Sequence, residues 1–176
     1  MRLRHRVRLA VNLLNGSTLA GLGVGAAGGA RLARYPDGLL VGTGYRLPVP
    51  PAPAFTLGNV ILTRRAALGY GTPLLRHEAR HCTQYAWCGG LAMLPLYFAA
   101  AGVSWLASGD FGAWNVFERG AGLADGGYNT ARALRPAVAG PWTALRLARG
   151  RVLSRAASAP GGLRAGRPAG PGPGPG

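Results

Sequence analysis

Apolar positions along this chain change their spacing several times, and each change marks an element. Between Arg31 and Tyr45, two short apolar runs flank Pro36-Asp37-Gly38, a dense turn signal that predicts a β-hairpin. Leu47 to Pro53 is proline-rich and reads as extended. Phe55 to Leu62 (Phe-Thr-Leu-Gly-Asn-Val-Ile-Leu) is the best strand candidate by β-branched and apolar content, and predicts a single strand. The period then becomes helical. Leu75, Ala79, Cys82 and Ala86 recur at three- and four-residue steps and predict a core-facing stripe. Thr72 suits the N-cap of that helix, Pro73 its first helical position, and Gly89-Gly90 its end. Leu91 to Ala107 is apolar throughout, with Ser104 its one clearly polar residue. It sits at the lower limit for a membrane span and contains Pro95, so a buried core helix, bent or restarted at the proline, is expected. A turn at Ser108-Gly109-Asp110 leads to a third helix, about Ala113 to Ala124, closed by Gly126-Gly127.

The ends differ from this middle. Residues 1–30 form a basic, Gly/Ala-rich segment with weak helical character. Residues 131–158 predict a basic amphipathic helix, with Trp142, Leu145, Val152 and Leu153 on one side and Arg146, Arg149 and Arg155 toward another. Residues 159–176 are Pro/Gly/Ala-rich and predict a disordered tail. That leaves residues 31–130 as the folded domain, and the order of elements predicts an α+β class.

Charge sharpens this division. All 20 basic residues are Arg, and the net charge is +15. All five acids, Asp37, Glu78, Asp110, Glu118 and Asp125, fall in the middle, so the middle is nearly neutral and both ends are basic. Basic ends attract anionic lipid or nucleic acid, or are simply solvated. The tail lacks aromatic residues interleaved with its arginines, which argues against base-reading. The start imitates a signal peptide, but Asn12, Asn15, Ser17, Thr18 and six glycines break its apolar stretch, so no targeting segment is expected. Cys82 and Cys88 on one helix point about 120° apart, so free thiols and a reducing compartment are expected. The expected location is the cytoplasm, with solvated basic ends and membrane association through them as the alternative.

The chemistry is concentrated in His77-Glu78-Ala79-Arg80-His81. Histidines at i and i+4 share a helix face and can converge on one metal, here expected to be zinc. The adjacent Glu78 suits a general base for water. Random placement of this composition gives the pattern in roughly one chain in two thousand. A two-His site needs a third ligand. His5 is the only other histidine and lies in the Arg-rich start. A carboxylate from a helix packed on the metal helix is a sound choice, which points to Glu118. Asn115-x-x-Glu118 also has capping-box spacing, so Glu118 could instead cap its own helix. Asp125 is the other carboxylate candidate, as ligand or as acceptor for a histidine's second ring N–H. Tyr128 is a candidate donor to a developing oxyanion.

The run His77-Glu78-Ala79-Arg80-His81-Cys82-Thr83-Gln84, followed by the helix with Asn115-Val116-Phe117-Glu118-Arg119-Gly120-Ala121, resembles the gluzincin branch of zincin-like metallopeptidases. The likeness spans about residues 54–128 and is greatest to small single-domain members. It implies His77, His81 and Glu118 as zinc ligands and Glu78 as general base, within a zincin-like domain that has a short N-terminal sheet. The metzincin signature is absent, because no third histidine follows His81. The resemblance implies a zinc-dependent peptidase or peptidase-like hydrolase acting on a peptide or protein, with Phe55 to Leu62 as the edge strand on which a substrate would pair. A zinc-stapled interaction module and an Arg-rich surface-binding protein are the competing classes.

Overall fold

The computed structural model describes residues 1–135 and 138–140 of the chain. Residues 1–135 form one compact unit. Residues 131–135, where the basic amphipathic helix is expected to begin, close the first unit and are non-helical; in the second unit residues 138–140 are helical, and the rest of the expected helix and the tail lie outside the described residues.

The first unit is α+β. Helices α1 (Leu3–Leu14) and α2 (Ser17–Ala27) precede strands β1 (Arg31–Tyr35), β2 (Leu39–Thr43), β3 (Ala54–Leu57) and β4 (Val60–Thr63). Helices α3 (Pro73–Trp87), α4 (Met93–Ser108), α5 (Val116–Ala121) and α6 (Leu123–Gly126) follow. The sheet order is β1-β2-β4-β3, with β2 and β4 parallel and the outer pairs antiparallel. Successive side chains leave a strand on opposite faces. Val41 and Ile61 accordingly join Leu75 and Cys82 of α3 on one face, while Leu40, Val60 and Leu62 meet Leu22 and Val24 of α2 on the other. The result is a helix–sheet–helix sandwich with β4 buried along its whole length.

The expected hairpin around Pro36-Asp37-Gly38 is present. The single strand expected over Phe55 to Leu62 is instead two strands. Gly58 and Asn59 form a two-residue loop, with Leu57 paired to Val60 and Gly58 at φ +62°. Glycine first in a two-residue loop is the preference of a tight hairpin turn, and it won over the β propensity on either side. Only the first half of the stretch, β3, is therefore a sheet edge.

The N-terminal segment belongs to the fold. Arg8 and Asn12 of α1 are buried. Arg8 Nε donates to Asn59 Oδ1 at 3.1 Å, and Asn12 Nδ2 donates to the Cys82 carbonyl at 2.8 Å. These bonds fasten α1 to the β3–β4 turn and to α3, so Arg8 is not part of a solvated basic end. Helix α2 approaches the sheet through glycines. A Cβ on Gly21 would lie 2.6 Å from the Leu57 carbonyl oxygen and 2.8 Å from Val60 Cβ, whereas Gly23 faces open space. Gly23→Ala is expected to stabilise the fold by up to about 1 kcal/mol through helix propensity. Gly21→Ala is expected to destabilise it by about 1–2 kcal/mol, because overpacking outweighs the same propensity gain. Urea unfolding of the two variants checks this; equal midpoints would mean that α2 does not rest on the sheet.

The expectation of a buried core helix over Leu91 to Ala107 is corrected. The chain makes a short 3₁₀ turn at Gly90–Ala92 and restarts as α4 at Met93, with Pro95 in its first turn. Of its most apolar window only 22% is buried. The helix closes one side of the unit with a narrow face and leaves the rest of its apolar surface exposed.

Candidate metal centre

Helix α3 begins as its sequence dictates. Thr72 Oγ1 accepts the Leu75 amide at 3.3 Å, and Pro73 follows it. Leu75 and Cys82 point into the core, with Ala79 packed against them, as the stripe predicted. Ala86 is only half-buried; the fully packed residue at that end is Tyr85. The opposite stripe, His77 and His81, faces α5 and α6 and is buried as well, at 3% and 7% exposure. Both thiols are free, with Cys82 on the core side.

Glu118 comes to the histidines from α5. Asn115 is the N-cap of that helix, its Oδ1 accepting the Phe117 amide at 3.0 Å. Glu118 does not return to the Asn115 amide, which bonds to the Gly112 carbonyl. The capping role and the cluster role thus fall to different residues. Glu118 Oε2 lies 3.0 Å from His77 Nε2 and 3.6 Å from His81 Nε2, and the two Nε2 atoms are 3.1 Å apart. A tetrahedral ion with metal–donor bonds of about 2.0–2.1 Å places its donors about 3.3–3.4 Å apart, close to these three edges.

Hydrogen bonds around the cluster decide what its atoms can do. His77 Nδ1 lies 3.0 Å from the Gly122 carbonyl oxygen, and His81 Nδ1 lies 2.7 Å from Gln84 Oε1. A carbonyl only accepts, so Nδ1 carries the proton in each ring once Gln84 is oriented to donate its Nε2 to the Phe117 carbonyl at 2.9 Å. Both Nε2 atoms are then bare lone pairs. Glu118 Oε1 accepts the Tyr97 hydroxyl, while the buried Oε2 has the two imidazoles as its nearest polar neighbours. With both rings neutral, three acceptors meet with no donor among them, an arrangement that calls for a cation, either a proton on a ring or a metal ion. Electrostatics agrees in direction. Burial pulls the His77 imidazole down, but the Glu118 carboxylate outweighs it and the net movement is upward. Burial pushes Glu118 up, but His77 and then His81 hold its carboxyl well below the usual carboxylate range. The buried His77, His81 and Glu118 group could hold a metal ion.

Comparison with families of known proteins, with curated proteins and with solved structures finds no match to this chain. The reading of the centre rests on its own geometry.

The remaining sequence candidates separate. Glu78, 4% exposed, points toward β3, where Thr56 Oγ1 donates to its Oε2 at 2.7 Å. Burial raises its carboxyl above the ordinary value, against the lowering pull of His81 and Thr56. Tyr128 is brought to the centre, its ring centroid 6.0 Å from that of His77 and its edge lodged where Gly112 lacks a Cβ. Asp125 is not. It pairs with Arg76 at 3.0 Å and Arg80 at 2.9 Å, which hold its carboxyl below the usual range, and neither histidine bonds to it. The reason is Gly122. The helix expected over Ala113 to Ala124 breaks there at φ +90°, which turns the Gly122 carbonyl onto His77 and leaves Asp125 to the arginines of α3. His5 binds Asp37 at 2.6 Å, apart from the cluster.

Two contributors escaped the sequence reading. Tyr97 stands among the apolar residues of its helix, and a tyrosine whose ring is buried needs a partner for its hydroxyl. Thr56 was absorbed into a strand. Gln84 was visible only as part of the extended motif, and its two-ended role is a structural finding. Gln84→Ala is expected to weaken metal affinity by about 10–100-fold by freeing the His81 ring. Competition with a chromogenic chelator measures this; an unchanged affinity would mean packing alone orients His81.

Proposed function

We propose that this protein is a zinc-dependent hydrolase of the zincin-like type, with a peptide or protein as substrate. The observation that carries the reading is the meeting of three buried ligand atoms, from His77, His81 and Glu118, beside a buried carboxylate one residue from the first histidine. Two imidazoles and a carboxylate are a donor set that suits zinc and leaves a fourth position for a small ligand. Zinc held there would supply Lewis-acid polarisation of a carbonyl and of water.

The chain's own groups account for the rest. Glu78, raised above the ordinary carboxylate value and steered by Thr56, takes a proton from the attacking water and returns it to the leaving amine. Tyr97 holds Glu118 by Oε1, so that Oε2 keeps its orientation toward the histidines. Tyr128, beside His77, is the candidate donor to the carbonyl oxygen as negative charge develops on it. Strand β3 carries Thr56 along the sheet edge next to α3, the line on which an extended substrate could add as a further strand.

One observation favours a second reading. All four carboxylate and imidazole groups are buried, and a closed metal site is the mark of a structural one. In that reading zinc staples α3 to α5, and the protein is an interaction module. Elemental analysis of the purified protein tests what the two readings share: about one zinc per chain is expected, and metal-free protein that takes up no zinc on titration would end both.

A further inference from the structure

Helix α4 is built inside out. None of its residues is charged, and its polar ones are Tyr97, Ser104 and Ser108. All three face the protein. Tyr97 bonds to Glu118, Ser104 Oγ donates to the Asp110 carbonyl at 2.6 Å, and Ser108 Oγ donates to the Ser104 carbonyl at 2.8 Å. With Met93 and Ala101 they make one narrow stripe. Around the rest of the helix stand Leu96, Phe98, Val103, Trp105 and Leu106, each between 43% and 67% exposed. A helix on the surface of a water-soluble unit normally has the reverse pattern. The apolar surface continues past the helix end to Phe111, which stacks on Trp105 at 6.1 Å, and to Trp114. A continuous exposed apolar face of this kind marks an interaction site.

Its rim says what covers it. Arg135 lies over the Trp105 ring at 5.3 Å, and Arg119 over Trp114 at 4.9 Å. Arg132 Nε donates to the Ser108 carbonyl at 3.1 Å, and Trp114 Nε1 donates to the Arg132 carbonyl at 3.0 Å. Asp110, the one acid at this end, has its Oδ1 occupied by the Gly112 and Ala113 amides. The face is thus apolar in the middle and ringed at one end by tryptophans interleaved with arginines. Aromatic residues and arginines at the edge of an apolar surface match the headgroup level of a bilayer with anionic lipid. A parallel two-fold contact with a second copy would set one arginine rim against the other, whereas an anionic bilayer meets the rim with opposite charge.

We propose that α4 docks this protein on an anionic lipid bilayer, lying in the plane of the interface with Leu96, Val103 and Leu106 in the acyl region and Arg119, Arg132 and Arg135 at the headgroups. In-plane docking follows from the bonds of Tyr97 to Glu118 and of Ser104 to the Asp110 carbonyl and the Trp114 amide, which keep the inner stripe on the protein; a helix crossing the bilayer would lose them. The docked helix is also the one that orients Glu118, but the inference does not depend on a metal being bound there. It differs from attraction through the basic chain ends, since it assigns the contact to an apolar face in the middle of the sequence.

The test uses the full chain with vesicles of phosphatidylcholine alone and of phosphatidylcholine mixed with phosphatidylglycerol. Sedimentation is expected with the mixed vesicles and weakly or not at all with the neutral ones. Leu96→Gln, Val103→Gln and Leu106→Gln combined are expected to lower partitioning at least about tenfold, with circular dichroism as the check on folding. Quenching of tryptophan emission by brominated phospholipid is expected with wild-type protein and needs no variant. Wild-type protein that stays in the supernatant with both vesicles, or shows no quenching, overturns the proposal. So does a folded triple variant that binds as well as wild type, which would assign the binding to the basic ends. A wild-type dimer in sedimentation velocity that the triple variant turns into a monomer, without vesicle binding, would make a second copy the occupant and also overturn it.

Discussion

Glu118→Ala is expected to lower metal affinity by at least about a hundredfold and to remove most of the stabilisation that added zinc gives wild-type protein. It deletes the third donor and removes the carboxylate that accepts the Tyr97 hydroxyl. Losing that bond adds a cost of about 1–3 kcal/mol that has nothing to do with metal. Glu118→Gln separates the two effects. Its amide oxygen can still accept from Tyr97, and its two N–H groups face two imidazole lone pairs that are 3.1 Å apart. Under chelation this variant is expected to melt at or above the wild-type temperature, because it supplies the donor that the cluster lacks. With zinc added, wild type is expected to gain stability and the Gln variant to gain almost none. Differential scanning fluorimetry with and without chelator reads all four conditions. If both proteins respond equally to zinc, the cluster is a buried polar network rather than a metal centre.

The same three donors mark what the sequence could and could not disclose. His77 and His81 are legible because their relation is local: four residues on a helix fix both Cβ atoms on one face. Thr72-Pro73 and Pro36-Asp37-Gly38 are legible for the same reason, since caps and turns are short-range chemistry. Gly58-Asn59 was equally local, but its turn signal was outweighed by the apolar residues around it. Glu118 was only a choice among carboxylates, because whether it capped α5 or crossed to α3 depended on how those helices pack. Asp125 lost to Gly122 for a reason no spacing contains, the break that re-aims a carbonyl. Tyr97 and Thr56 act across elements 21 and 22 residues from their partners and left no local trace. The exposure of α4 was hidden differently: a uniformly apolar run predicts a helix that avoids water, and does not say whether protein or lipid replaces it. Arg8 and Asn12 carried the opposite message, as polar residues that turn out to be internal struts.

Glu78→Gln is expected to retain zinc and the fold while lowering peptide hydrolysis by about 10²–10⁴-fold. Gln preserves the shape and the Thr56 contact, since its amide oxygen can accept the hydroxyl that now donates to Oε2. It removes a carboxylate that burial already disfavours as an anion, so the melting temperature is expected to stay level or rise. A group kept ionisable where its charge is unwelcome is a liability for the fold, and catalysis is the use that would balance it. That asymmetry makes the variant decisive between the two zinc readings. In a hydrolase, Glu78→Gln is stable and inactive, and His81→Ala is both unstable and inactive. In a zinc-stapled module, Glu78→Gln changes neither zinc content nor partner binding, and His81→Ala alone lowers the melting temperature. Assaying both variants beside wild type against a mixed peptide library, with zinc content measured on the same samples, distinguishes them. Hydrolysis that survives Glu78→Gln at the wild-type rate would remove the general-base role from Glu78 and leave the metal centre as a staple between α3 and α5.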